Sequence, residues 1–151
     1  MEIGMKIGEI NIIASGTGGR SIFHDQQEFL QAGDVEVGTY NSEVLASNLI
    51  FEEFEEFSEE PHYLERRLEG NTNAIKEALD LMYVTAQYLN VTIGADKAYQ
   101  CWQALHANNM SKCTEGKLVK RADGKVEKPD GFKKLDLAPL LREIRNADNN
   151  N

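Results

Sequence analysis

Two pairs of carboxylates stand at helical spacing in this chain. Glu53 and Glu56 form one i, i+3 pair, and Glu77 and Asp80 form a second; residues three apart in a helix lie on the same face. Helical-wheel angles place Glu53 and Glu56 within the apolar face of their segment, where ionised carboxylates are costly unless a cation compensates them. Carboxylate oxygens without histidine or cysteine select a hard cation, Mg²⁺ or Mn²⁺, rather than zinc. Because such an ion commonly bridges to substrate phosphates, these residues favour metal-assisted phosphate chemistry.

Each pair also has a simpler explanation. Six of the nine residues 52–60 are acidic, and such a run is usually a solvated helix face. Three of them fall toward solvent on the wheel: Glu52, Glu55 and Glu59. For the second pair, the alternative is a buried salt bridge to Lys76 or Arg66. Such a bridge compensates one carboxylate but hardly four that converge.

The elements that must hold these residues are mainly helical. Apolar periodicity and capping residues predict four helices, and the Asp-Gly at 123–124 predicts a small hairpin. With a helical turn near 62–69 and a short helix near 137–146, the prediction is an all-α bundle of four to five helices with a short C-terminal hairpin. The segment 81–89 is apolar almost all round, as expected for a central bundle helix. The four helices are predicted at residues 22–32, at 42–60, from a cap at 72 or 73 to 90, and at 95–112.

Length and composition indicate one domain. The 151 residues are 41% hydrophobic, which is enough for a core without disulfides, so a single domain over 1–151 is expected. Within it, 1–20 is an extra N-terminal segment and 113–151 is a basic hairpin and tail. The GTGGR at 16–20 lacks the Lys-Ser/Thr of a P-loop. We expect no membrane span and no secretory signal, and two cysteines without zinc-ligand spacing favour a reducing cytoplasm.

Charge is distributed unevenly along the chain. Residues 1–111 carry 18 acidic and 6 basic side chains, whereas residues 112–134 carry 8 basic and 4 acidic ones, within a net charge of −9. An acidic body repels nucleic-acid phosphate, so nucleic acid is not expected as a partner. A small basic segment beside an acidic one suits a ligand that carries both metal and phosphate.

The acidic motifs and the basic tail together resemble a known family. Glu53-x-x-Glu56 followed by Glu77-x-x-Asp80 is similar to the ExxE…ExxD signature of the all-α nucleotide pyrophosphohydrolases, the MazG-like and phosphoribosyl-ATP pyrophosphohydrolase-like proteins. The two motif helices read LIFEEFEEF at 49–57 and KEALDLMYV at 76–84. The tail resembles the VHxSNMSK…DGKxxKP pattern of a single-domain branch found in bacteria and phages, and it reads LHANNMSK at 105–112, DGK at 123–125 and KP at 128–129. The resemblance covers roughly residues 22–135.

This resemblance implies an all-α fold and Mg²⁺-dependent hydrolysis of a nucleoside or deoxynucleoside triphosphate to the monophosphate and pyrophosphate. It also implies a homodimer or homotetramer that completes the bundle. The implied metal ligands are Glu53, Glu56, Glu77 and Asp80, of which Glu53 or Glu56 would also orient the attacking water. The implied phosphate contacts are Asn109, Lys112, Lys125 and Lys128. Leu105, Phe57 and Asn108 depart from the family pattern, and residues 1–20 have no counterpart in it.

Helical-wheel angles support the roles that the resemblance implies for Asn109 and Lys112. Asn109 and Lys112 continue the stripe of Trp102 and Leu105, which predicts that both point into the bundle. The alternative for Lys112 is an ordinary cation at a helix C-terminus. Lys125, beside an Asp-Gly turn, has the alternative of a solvated hairpin residue.

Other functions stay open at this point. Phosphoribosyl-ATP hydrolysis would use the same carboxylates, although NNMSK and DGK fit the first branch better. A non-catalytic protein that sequesters or senses a nucleotide is a rival of a different class. An acidic helical interaction module, with its charges merely solvated, is the third.

Overall fold

The computed structural model describes residues 3–7, 10–14, 20–60 and 72–142, and these are mainly helical. The all-α prediction is confirmed. The four long helices are α1 (Ile22–Ala32), α2 (Tyr40–Glu59), α3 (Thr72–Ile93) and α4 (Ala95–Met110). Residues 138–142 are also helical, at the start of the helix predicted for 137–146. The predicted turn at 62–69 and the glycines of GTGGR lie outside the described residues.

Short hairpins flank the helices in the sequence. β1 (Ile3–Ile7) pairs antiparallel with β2 (Ile10–Ala14), and β3 (Cys113–Thr114) pairs antiparallel with β4 (Lys117–Leu118). The periodicity of the sequence predicts neither pair. The hairpin predicted around the Asp-Gly turn is confirmed as a single bridge between Lys120 and Val126.

Local capping explains where the helices differ from their predicted bounds. α2 begins two residues early because the Thr39 hydroxyl accepts a hydrogen bond from the Ser42 amide at 3.2 Å, which satisfies a free donor of the first turn. α3 continues past Asn90 because Val91 is fully buried. It ends before Gly94, whose φ of 79° is readily adopted only by glycine.

Small residues let the helices approach closely. Ala86 of α3 packs with Ala95 and Ala98 of α4 and with Phe23 of α1. A second buried cluster joins three helices through Leu30 of α1, Ala46 of α2 and Val91 of α3. α3 therefore contacts every other long helix, and α2 packs along it and carries the first acidic pair.

The segment 81–89 is expected to be central in the bundle, yet in the single chain neither it nor the helical turn before it is buried all round. Leu79 is 59% exposed and Met82 is 55% exposed, because no described element of the chain covers that side of the helix. The stripe on α4 is likewise buried only at its start: Ala98 is buried, whereas Trp102 is 55% exposed and Asn109 is exposed. α4 packs through its first half, where Ala95 and Ala98 lie in the core, and its second half leaves the stripe uncovered.

None of the described helices is both long enough and apolar enough to cross a membrane.

Gly94 provides a test of the α3–α4 junction. A Cβ at this position would meet no atom within 4 Å, so the cost of Gly94→Ala comes from its positive φ alone. We expect the substitution to reduce the free energy of unfolding by about 1–3 kcal/mol. Gly33→Ala is the matched control, since Gly33 has a φ of −94° and room for a methyl group. Chemical denaturation measures both, and equal effects of the two substitutions would contradict the role of the junction.

Candidate metal centre

The first acidic pair, Glu53 and Glu56, lies on α2 where this helix contacts α3. Glu53 is half-buried, and its Oε2 atom is buried without a hydrogen-bond partner among the described residues. Glu56, one turn further on, is exposed, so the wheel places it on the correct side of α2 but overstates its burial. Glu52 and Glu55 are exposed, as predicted.

α3 presents the second pair from the other side. The Glu77 side chain is only 12% exposed, and that of Asp80 is 39% exposed. Lys76 lies between them: its Nζ is 2.8 Å from Asp80 Oδ2 and 3.2 Å from Glu77 Oε1. An ion pair with Lys76 therefore exists, but it is not the buried salt bridge of the simpler explanation because the Lys76 side chain is 63% exposed. Arg66 lies outside the described residues.

Three of the four predicted metal ligands converge. One carboxylate oxygen from each of Glu53, Glu56 and Glu77 lies within 4.8 Å of the other two. Asp80 does not belong to this cluster of three glutamates, and its carboxylate forms a salt bridge with Lys76. Within the described residues, no salt bridge includes Glu53 or Glu56, and the positive charge of Lys76 lowers the pKa of each by less than the other effects raise it.

The pKa values of the cluster reflect its excess of negative charge. The pKa of Glu53 is raised, first by removal from water and then by the negative charges of Glu56 and Asp80. The pKa of Glu56 is raised by loss of hydration and by Glu77, which repels it and shares a hydrogen bond with it. Asp80 and Glu77 raise the pKa of Lys76. Like charges held together make the ionised form of each carboxylate less favourable.

The donor set fits a hard divalent cation. Oxygens bound to one Mg²⁺ lie at most about 4.2 Å apart because each lies about 2.1 Å from the ion. The three glutamate oxygens lie within 4.8 Å of one another, so a small movement of the side chains would bring them to that spacing. Glu53 Oε2 is in addition a buried acceptor without a hydrogen-bond partner among the described residues. Glu53, Glu56 and Glu77 are thus the residues of α2 and α3 that could hold the ion.

Three of the four predicted phosphate contacts, Asn109, Lys112 and Lys128, lie near one another. Lys112 Nζ donates a hydrogen bond to Asn109 Oδ1 at 2.7 Å, so these two residues act together at the end of α4. Lys112 and Lys128 both contact the ring of Phe132. Lys125 is exposed in the small hairpin, where its amide donates to Asp123 Oδ1. No hydrogen bond or ion pair among the described residues joins this group to the carboxylates.

Phe132 was not predicted as a functional residue. Its ring lies within 6 Å of the Lys112 and Lys128 ammonium groups. The only sequence signal was the preceding Pro129-Asp130-Gly131, which is typical of a turn but does not reveal what the turn packs against.

A search against protein-family models and a search of curated proteins each found no match to this chain.

The raised pKa of Glu53 leads to a prediction for the metal-free protein. A carboxyl group whose pKa is higher in the folded state than in the unfolded state contributes stability at low pH and loses it as the pH rises through the folded value. Glu53→Gln removes that loss, so the variant should melt at a higher temperature than the wild type at pH 7.5 in EDTA. The difference should shrink at pH 4.5, where Glu53 is increasingly protonated.

Glu55→Gln is the control, since Glu55 lies on the exposed side of the same helix. Thermal unfolding of the three proteins at both pH values measures the effect. A Glu53→Gln variant that melts below the wild type at pH 7.5 would mean that the Glu53 carboxylate is satisfied without a cation.

Proposed function

We propose that the chain is a Mg²⁺-dependent hydrolase that converts a nucleoside or deoxynucleoside triphosphate to the monophosphate and pyrophosphate. The observation that carries this proposal is the convergence of Glu53, Glu56 and Glu77, with a buried oxygen that lacks a partner. The resemblance of the ExxE…ExxD motifs and of the tail to the all-α nucleotide pyrophosphohydrolases supports the same reaction.

Glu53, Glu56 and Glu77 would hold the ion. Asp80 would also bind it, giving up its salt bridge with Lys76. When bound, Mg²⁺ supplies positive charge that orients the phosphate chain and offsets the charge that develops on it. Asp80 is close enough to Glu53 for its charge to raise the pKa of Glu53, which supports a shared site for the four carboxylates.

The reaction itself needs a positioned water. Glu53 or Glu56 accepts a hydrogen bond from this water and takes its proton as the water oxygen bonds to the α-phosphorus. The bond between the α-phosphorus and its bridging oxygen then breaks, and pyrophosphate leaves with the electron pair. The amide of Asn109 and the ammonium groups of Lys112, Lys125 and Lys128 would contact phosphate oxygens.

The proposal includes association into a homodimer or homotetramer in a reducing compartment such as the cytoplasm. Apolar side chains are exposed on all four long helices, and Leu79, Met82 and Trp102 are each more than half exposed. Burying such side chains against a second copy is favourable by roughly 25 cal/mol for each Å² removed from water. Both cysteines, Cys101 and Cys113, are free.

A substrate panel tests the reaction. Incubated with nucleoside and deoxynucleoside triphosphates and Mg²⁺, the protein should release the monophosphate and pyrophosphate, resolved by anion-exchange chromatography. Glu53→Gln and Asp80→Asn should each reduce turnover at least about a hundredfold, because each removes a proposed metal ligand, whereas Glu55→Gln should retain it. Orthophosphate as the product would place the cleavage elsewhere, and tight binding without turnover would favour a sequestering protein.

Metal linkage provides a readout that does not need a substrate. At a Mg²⁺ concentration about a hundred times its dissociation constant, the melting temperature of the wild type should rise by about 5–10 °C. Glu53→Gln should lose most of this rise, while Glu55→Gln should keep it. The same rise in all three proteins would indicate that the ion binds elsewhere.

Light scattering on a size-exclusion column tests the assembly. The expected mass is at least twice the 17.0 kDa of one chain. Leu79→Arg should reduce it, since an arginine would place a charge on the exposed apolar side of α3. A monomer at micromolar concentration would contradict this part of the proposal.

A further inference from the structure

A tight turn places an aromatic ring beside the end of α4. The Phe132 amide donates to the Pro129 carbonyl at 3.0 Å, and Gly131 between them has a φ of 79°, as a type II turn requires at its third residue. The Asn108 side chain donates to the Lys133 carbonyl at 2.7 Å. This hydrogen bond attaches the segment after the turn to α4 and fixes the position of the Phe132 ring.

The Phe132 ring contacts the ammonium groups of two lysines, one before and one after the small hairpin. Lys112 Nζ is 5.7 Å from the ring centroid and Lys128 Nζ is 5.5 Å from it. The two charges therefore lie no more than about 11 Å apart. Both distances are within the range of an attractive contact between a cation and an aromatic ring.

Both ammonium groups keep their charge available. Within the described ranges, neither Lys112 nor Lys128 forms an ion pair with a carboxylate, whereas the nearby Arg121 pairs with Asp123 at 2.7 Å. A contact with a ring neutralises no charge and occupies no N–H donor in a directed hydrogen bond. Of the six N–H donors on the two lysines, one is directed at Asn109 Oδ1. Two cations held near each other without an acidic partner favour an anion between them.

We propose that Phe132 is a positioning residue that holds Lys112 and Lys128 as one two-cation site for a phosphate chain. Its place in catalysis rests on the proposed function, in which the site would bind the triphosphate or the departing pyrophosphate. The chemical class of the ligand follows from the two unneutralised charges, since a chain of two or more phosphates carries anionic oxygens for both ammonium groups. Orthophosphate contacts one ammonium group more readily than both. Pyrophosphate should therefore bind more tightly than orthophosphate.

Calorimetric titration with inorganic pyrophosphate tests this site without turnover. The titration uses the full chain in EDTA at low ionic strength. Phe132→Leu should weaken pyrophosphate binding about fivefold or more, because both contacts between a lysine and the ring are lost. Phe132→Tyr, which keeps the aromatic face, should bind within about twofold of the wild type. Phe132→Met keeps the apolar packing without the aromatic face, so it should behave like the leucine variant.

A double-substitution cycle tests whether Phe132 acts through the lysines. Lys128→Gln should weaken binding in the wild-type background and have a smaller effect in the Phe132→Leu background, because the two residues act as one unit. Lys117→Gln is the matched control, since Lys117 is an exposed lysine of the same basic segment in β4. It should change binding less than Lys128→Gln does.

The outcomes separate this proposal from the proposed function. Pyrophosphate binding that depends on Phe132 supports the site even if no triphosphate is hydrolysed. If triphosphates are hydrolysed, Phe132→Leu should raise KM more than it lowers kcat. Pyrophosphate binding by Phe132→Met equal to that of the wild type, or additive effects of Lys128→Gln and Phe132→Leu, would overturn the proposal. If the Phe132 variants fail to fold, wild-type binding of pyrophosphate by a Lys112→Gln/Lys128→Gln protein would overturn it.

Discussion

The repulsion among carboxylates at the contact of α2 and α3 is the constraint on which the rest of this structure depends. Glu53, Glu56 and Glu77 lie together, and among the described residues the lysine beside them, Lys76, is paired with Asp80 and Glu77. Burial and mutual repulsion raise the pKa of Glu53 and Glu56. Such an arrangement costs stability unless a cation compensates it, and this cost is the basis of the proposed metal site.

The scaffold around this cluster holds it in place at modest cost. Buried alanines on three helices, with Ala46 and Ala86 among them, allow close packing against α3. The same packing leaves apolar side chains of α3 and α4 uncovered in one chain, and this exposure is the basis of the proposed association with a second copy. The basic segment after α4 adds charge of the opposite sign, and Phe132 gathers part of it at one place. In the proposed function, one ligand contacts both the acidic and the basic groups.

Much of the fold could be predicted from the sequence, because helix periodicity and capping act locally. Helix α1 is predicted to the residue, and the Asp-Gly hairpin is found where its turn predicts it. The burial of α3 and of the second half of α4 could not be predicted, since exposure depends on which elements cover a face and not on the face itself. The convergence of Glu53 with Glu77 could be inferred from helical spacing, but the capture of Asp80 by Lys76 depends on side-chain conformation. The place of Phe132 depends on a turn docking on α4, which no local pattern reveals.

We propose that Glu53, Glu56 and Glu77 hold a divalent cation. Anomalous diffraction from a crystal grown with Mn²⁺ tests it most directly, since Mn²⁺ is a hard cation of the same preference for oxygen ligands as Mg²⁺. The account predicts an anomalous peak at coordination distance from oxygens of Glu53, Glu56 and Glu77. The absence of a peak there at saturating Mn²⁺, with the three carboxylates turned apart toward solvent, would contradict it.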